Sequence, residues 1–268
     1  MNILDKIIAH KRVEVAARKT AVPVAVLEKS AFFYRTALSL KAALRDTGST
    51  GIIAEFKRRS PSRGVINETA DAGQVTRGYV AAGATCLSVL TDNHFFGGSE
   101  SDLATARANE VPILRKEFII DEYQILEARA IGADVVLLIA ACLPPQEVRR
   151  LSVFARGLGL EVLLEIHSEE ELAHICDETA IVGVNNRDLR TFTVDIERSI
   201  LLSRRIPAGK LLVAESGISR VETILQLRAV GFRGFLIGES FMKEADPAAA
   251  LTSFVANLRQ NDRHSIEM

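Results

Sequence analysis

The sequence predicts an α/β fold: a single (β/α)8 TIM barrel with an N-terminal helical extension. Three observations lead there. Eight short runs, most of them rich in Val, Ile and Leu, recur after residue 50, as strands covered on both faces require. Helical patterns fill the intervals, and many stop at a glycine: Gly83, Gly132, Gly159 or Gly231. Polar residues of the runs gather at their C-terminal ends, where barrels place their chemistry.

Taken in order, residues 1–48 form the extension. Ile3, Leu4, Ile7 and Ile8 fall at helical spacing, with Asp5, Lys6, His10 and Lys11 expected on the opposite side. A second helical patch is expected near Phe32–Leu44. The strand runs follow: 51–56, 86–90, 111–116, 134–140, 160–166, 181–185, 211–216 and 234–238. Helices are expected at Glu122–Gly132, Pro145–Leu158 and Val221–Val230, among others. An open doubly wound sheet is the alternative. It would usually carry a glycine-rich phosphate loop after its first strand, and EFKRRSPSRG is not one. No linker or charge block divides residues 1–268, so a single domain is expected.

Composition narrows the function classes. Thirty-three basic residues against 34 acidic ones leave a net charge of −1, which gives no footprint for nucleic acid or an anionic membrane. Cys86, Cys142 and Cys176 are odd in number and lack CxxC spacing, and are expected as reduced core residues. The N-terminus interrupts every apolar pair with charge and offers no signal-peptide h-region, so a cytoplasmic protein is expected. No metal is assigned, because none of the five histidines has ligand spacing.

The strand ends carry the functional signal. Side chains alternate faces along a strand, so Glu55 and Lys57 share a face with Ile53, Lys116 with Leu114, Glu165 with Leu163, and Glu215 with Val213. Strand six runs into Asn185, Asn186 and Arg187. One such residue reads equally well as a solvated strand end; their coincidence on five or six strands weakens that reading. Arg58, Arg59 and Arg63 are expected as solvated loop charges. The last two loops, LVAESGIS and FLIGESFM, place small residues where backbone N–H groups can approach an anion. Two ordinary tight turns are the alternative; as a pair on strands seven and eight they favour a phosphate site. Ser219 and Glu222 have capping-box spacing.

EFKRRSPSRG, SVLTDNHFFGGS, ILRKEFIID, LLEIHSEEEL, VGVNNRDLRTF, LVAESGIS and GFLIGESFM, with ILDKIIAHKR at the start, resemble the indole-3-glycerol-phosphate synthase family over nearly the whole chain. The resemblance implies a cofactor-free carboxy-lyase of tryptophan biosynthesis. It would act on a small sugar phosphate, 1-(2-carboxyphenylamino)-1-deoxy-D-ribulose 5-phosphate. It implies Lys116 as general acid, Glu165 as general base, and Lys57 at the substrate carboxylate or as a second acid. Glu55 and Glu215 would hold lysines and sugar hydroxyls, and Asn185 and Arg187 would lie near the reacting end. Ser60, Ser216, Gly217, Gly238 and Glu239 would surround the phosphate. Phe96, Phe118, Leu137 and Leu189 would form the slot for the aromatic ring, or equally pack as core. As partners it implies the substrate, a monomer or weak homodimer, and association with other enzymes of the pathway.

Rival readings stay open at this stage. Another sugar-phosphate barrel, such as phosphoribosylanthranilate isomerase, would carry a catalytic cysteine where this chain has Glu55-Phe56-Lys57. A Schiff-base aldolase would use Lys57 or Lys116 as a nucleophile. A binding-only barrel would keep the pocket without turnover.

Overall fold

Each of the eight apolar runs becomes a strand: β1 (Ile52–Phe56), β2 (Cys86–Leu90), β3 (Ile113–Lys116), β4 (Val135–Ile139), β5 (Glu161–Ile166), β6 (Ile181–Asn185), β7 (Leu211–Glu215) and β8 (Phe232–Ile237). The computed structural model describes residues 3–188 and 193–266. The strands are all parallel and close into a barrel in which each pairs with its sequence neighbours and β8 returns to β1.

Strand alternation divides the apolar residues into two cores. Ile53, Leu114, Leu137, Leu163, Val213 and Leu236 fill the barrel interior. Ala54, Phe56, Val136, Leu164 and Ala214 face outward and pack under the helices. Covering both faces is what makes the strands continuously apolar. Leu40 and Leu44 join the interior cluster from the helix Leu40–Arg45, whose Leu44 also packs beside Gly234 of β8.

Outer helices begin where the chain supplies a cap. Asp71, Ser99, Asp121 and Asp195 each accept a hydrogen bond from a backbone N–H of the first turn, and Asp121 with Gln124 forms a full capping box. Gly132 ends the helix Glu122–Ile131 at φ 95°, a backbone that favours glycine. After β5 the outer layer holds only the 3-10 turn Glu169–His174 in place of an α-helix.

Two expectations of local structure fail for tertiary reasons. The patch near Phe32–Leu44 is not one helix. Arg35 reaches the carbonyls of Gly132 and Ala133 and the carboxylate of Asp134, which also takes the N–H of Leu38. Those bonds hold the chain extended until Ser39 caps the short helix Leu40–Arg45. The capping box at Ser219 and Glu222 is also absent. The helix Val221–Ala229 starts after Arg220 without a side-chain cap, and Glu222 pairs with Arg220 instead.

The first helix, Ile3–Ala21, lies against the barrel through a buried stripe of Ile7, Lys11 and Val15. Lys11 is therefore not on the solvent side. It is 0% exposed, and its ammonium lies 2.9 Å from Asp92, 3.0 Å from Glu117 and 3.0 Å from Glu14. One turn pair further on, Arg18 bonds Glu127 and Glu100, which Arg115 of β3 also holds. No described helix is long and apolar enough to cross a membrane.

Removing one partner of a buried ion pair leaves the other charge desolvated and unpaired. Lys11→Ala should lower unfolding free energy in urea by about 3–5 kcal/mol. A loss below about 1 kcal/mol, the range of an exposed pair, would show that the ammonium does not fasten the helix.

Candidate active site

Parallel strands in a closed barrel present all their C-terminal ends at one rim, so residues at equivalent end positions converge. A cavity of about 530 Å3 opens there. It is lined by Glu55, Lys57, Lys116, Glu165, Asn185 and Glu215, the proposed chemical set, all from β1, β3, β5, β6 and β7 or the residues that follow them. Ser60, Phe96, Phe118, Leu137, Arg187, Ser216, Gly217, Gly238 and Glu239 line it too. Leu189 lies outside the described residues.

The Lys116 ammonium occupies the centre. It lies 3.6 Å from Glu165 and 3.8 Å from Glu215, two carboxylates that are 3% and 1% exposed. Lys57 pairs with Glu55 at 2.7 Å, and the Ser88 hydroxyl donates to the other Glu55 oxygen. Burial acts to strip the proton from Lys116, but Glu165, Glu215 and Glu55 together overcome it and raise its proton affinity. Burial opposes ionisation of Glu165 as well, yet Lys116, His167 and Asn185 hold it well below the usual carboxylate range. Glu215 goes the other way. Burial, reinforced by the charge of Glu165, pushes it up to about 8, so it carries a proton at neutral pH. Two neighbouring carboxylates thus take opposite states, the arrangement that separates an acid from a base.

Glycine makes this packing possible. A Cβ at Gly183 of β6 would meet Glu215 Oε1 at 2.1 Å, and one at Gly238 would meet Glu55 Oε1 at 2.7 Å. After β7 the chain turns sharply through Ser216 (φ 68°) and Gly217 (φ 71°), and Asn186 donates to the Ser216 carbonyl at 2.7 Å. Glu239 meets Arg63 at 2.9 Å and Arg187 at 3.6 Å, so the Arg187 guanidinium faces the Ser216–Glu239 end, while its backbone N–H donates to Asn185. At another part of the wall, Phe96 and Phe118 stand with ring centroids 5.8 Å apart.

The family profile described as "Indole-3-glycerol phosphate synthase" matches residues 4–254. Relatives carrying that name include one from Bacteroides thetaiotaomicron, 50% identical over 95% of this chain and 98% of its own, and one from Chromobacterium violaceum, 46% identical over 94% and 97%. The chain belongs to the indole-3-glycerol phosphate synthase family. Solved structures of the tryptophan synthase a2b2 complex from Pyrococcus furiosus and a lactate oxidase from Pediococcus acidilactici share the barrel fold alone. Their TM-scores are 0.56 and 0.60, at 17% and 14% identity. They cover 78% and 77% of this chain, and the chain covers 98% and 68% of theirs.

Several features of this synthase-family site escaped sequence reasoning. Ile3, Leu4 and Ile7 of the first helix line the cavity. His167 sits 3.1 Å from Glu165 Oε1, whereas sequence reasoning considers the histidines only for metal-ligand spacing. The signal was present, since residues two apart share a strand face. Arg58 and Arg59 are not solvated loop charges: Arg58 forks Asp102 at 2.6 and 2.9 Å over the Phe56 ring, and Arg59 donates to the Asn93 carbonyl. Arg63 is exposed but pairs with Glu239. Of the cysteines, Cys86 is core, whereas Cys142 and Cys176 are only half-buried.

The raised Glu215 makes a thermal prediction. A carboxyl whose folded-state pKa is raised contributes stability below its unfolded pKa and loses it as pH rises through about 8. The melting temperature of the wild type relative to Glu215→Gln should therefore fall between about pH 5 and about pH 9. A constant difference across that range would show that Glu215 is ionised in the folded protein throughout.

Proposed function

We propose that this barrel, working as one domain, closes the indole ring of 1-(2-carboxyphenylamino)-1-deoxy-D-ribulose 5-phosphate, releasing carbon dioxide and water to give indole-3-glycerol phosphate. Family membership supports the reaction, and the observation that carries the site is the Lys116 ammonium held between Glu165 and Glu215. In this reading the aromatic ring lies by Phe96, Phe118 and Leu137, and the phosphate lies by Ser60, Gly217 and Gly238. Lys57, paired with Glu55, meets the substrate carboxylate.

The chemistry then follows from charge. The ring carbon bearing the carboxylate attacks the ketone carbon, and the new carbon–carbon bond forms as the C=O pair moves to oxygen. Lys116 is charged and gives that oxygen a proton. The carboxylate leaves as carbon dioxide, returning its bonding pair to the ring. Lys116, reprotonated, then assists loss of the hydroxyl as water. Glu165, ionised, accepts the proton released as the dihydro ring becomes indole. From an ionised carboxylate the turnover takes up one proton overall.

A Schiff-base aldolase is disfavoured on the same geometry, because a nucleophilic lysine must shed its proton and Lys116 is surrounded by groups that retain it. For localisation we propose a cytoplasmic enzyme, and for partners the sugar phosphate, with a monomer or weak homodimer and association with other enzymes of the pathway.

Purified protein mixed with the substrate should develop indole fluorescence, against low background since the chain has no Trp. Lys116→Ala should lower kcat by at least about 10²–10⁴-fold with an unchanged circular dichroism spectrum. No signal from folded wild type would overturn the assignment and leave a binding-only barrel or a different sugar-phosphate enzyme.

A further inference from the structure

Beyond the residues given roles above, a histidine outside the cavity lining stands between two carboxylates, one of which, Glu165, lines the cavity. His167 follows β5 on the same face as Glu165. Its Nε2 lies 3.1 Å from Glu165 Oε1 and its Nδ1 3.4 Å from Glu171 Oε2, with the side chain about one-tenth exposed. Glu171 is held in turn, because the same Oε2 accepts the backbone N–H of His167 at 2.6 Å. Ionised carboxylates only accept. A neutral imidazole would therefore leave one of them facing a ring lone pair, whereas an imidazolium sets its positive charge between the two.

The ring also decides how Glu165 is aimed. Oε1 accepts the Asn185 amide N–H at 3.0 Å and has the His167 Nε2 beside it at ion-pair distance. Oε2 is left buried without a hydrogen-bond partner, with Lys116 at 3.6 Å. An oxygen so placed is the one free to take a proton from a bound molecule.

We propose that His167, gripped by Glu171, is a positioning residue for Glu165: as an imidazolium it holds Oε1, keeps the carboxylate ionised and leaves Oε2 for the substrate proton. This rests on the reading of Glu165 as the base. Burial would by itself strip the ring of its second proton, but Glu165 and Glu171 push its pKa up to about 10. The other groups that face this pair are Lys116 from β3, Asn185 from β6 and Glu215 from β7. The Cys142 thiol after β4, which also feels Asp5 of the first helix, stands beside both carboxylates.

Two readouts test it. In 15N spectra of the intact protein, assigned by difference against His167→Asn, the ring should remain doubly protonated at pH 8. In Glu171→Gln it should lose that proton at lower pH. In His167→Asn, which keeps a donor but not the charge, the acidic limb of kcat should move up by about one pH unit, a tenfold loss on its acid side, with KM little changed. If His167→Asn does not fold, Glu171→Gln carries the kinetic test, with a smaller shift in the same direction. A ring that titrates near its ordinary pKa would overturn the proposal. So would a kcat lowered equally at every pH with the limb unmoved. Glu165→Gln distinguishes the underlying reading: if it turns over like wild type, the base assignment fails whatever the state of His167.

Discussion

The ammonium of Lys116 is the interaction on which the rest of the site depends. Glu55, Glu165 and Glu215 are 4%, 3% and 1% exposed, and three carboxylates in so small a volume would repel strongly in a medium of low dielectric. Lys116 compensates them from one point, and Lys57 adds a second cation at Glu55. The remaining imbalance is relieved by a proton on Glu215. The result is a base and two proton donors in contact, whose states follow from burial and mutual charge.

Closure of the barrel is what brings these groups together. In register, Glu165 stands beside Gly183, and Asn185 stands beside Glu215. A neighbour without a side chain gives Glu215 its space, so the glycine at 183 is a site residue by what it lacks. The first helix completes the wall. Lys11 ties it to Asp92, whose other oxygen accepts the N–H groups of Phe95 and Phe96, and to Glu117, beside Lys116 and Phe118. One buried cation therefore joins the helix to both loops that carry the aromatic pair.

Much of this was legible in the chain. The apolar runs located all eight strands because a doubly covered strand has to be apolar along its length. Alternation then assigned faces: the partners expected for Lys116, Glu165 and Glu215, namely Leu114, Leu163 and Val213, all lie in the barrel interior. What was not legible depends on contacts distant in sequence. Lys11 reads as an exposed helical lysine until Asp92 and Glu117 arrive from two other loops. Arg58 reads as a loop charge until Asp102 receives it. The extended stretch before Leu40 is set by Asp134, about a hundred residues away, and no local periodicity reports that.

The division of charge among Lys116, Glu165 and Glu215 can be observed directly by neutron diffraction from deuterated crystals near pH 7. Three deuterons on Lys116 Nζ, one on the Glu215 carboxyl and none on Glu165 is the expected pattern. A deuteron on Glu165 with Glu215 bare, or a neutral Lys116, would contradict the assignment of base and acid from which the mechanism is built.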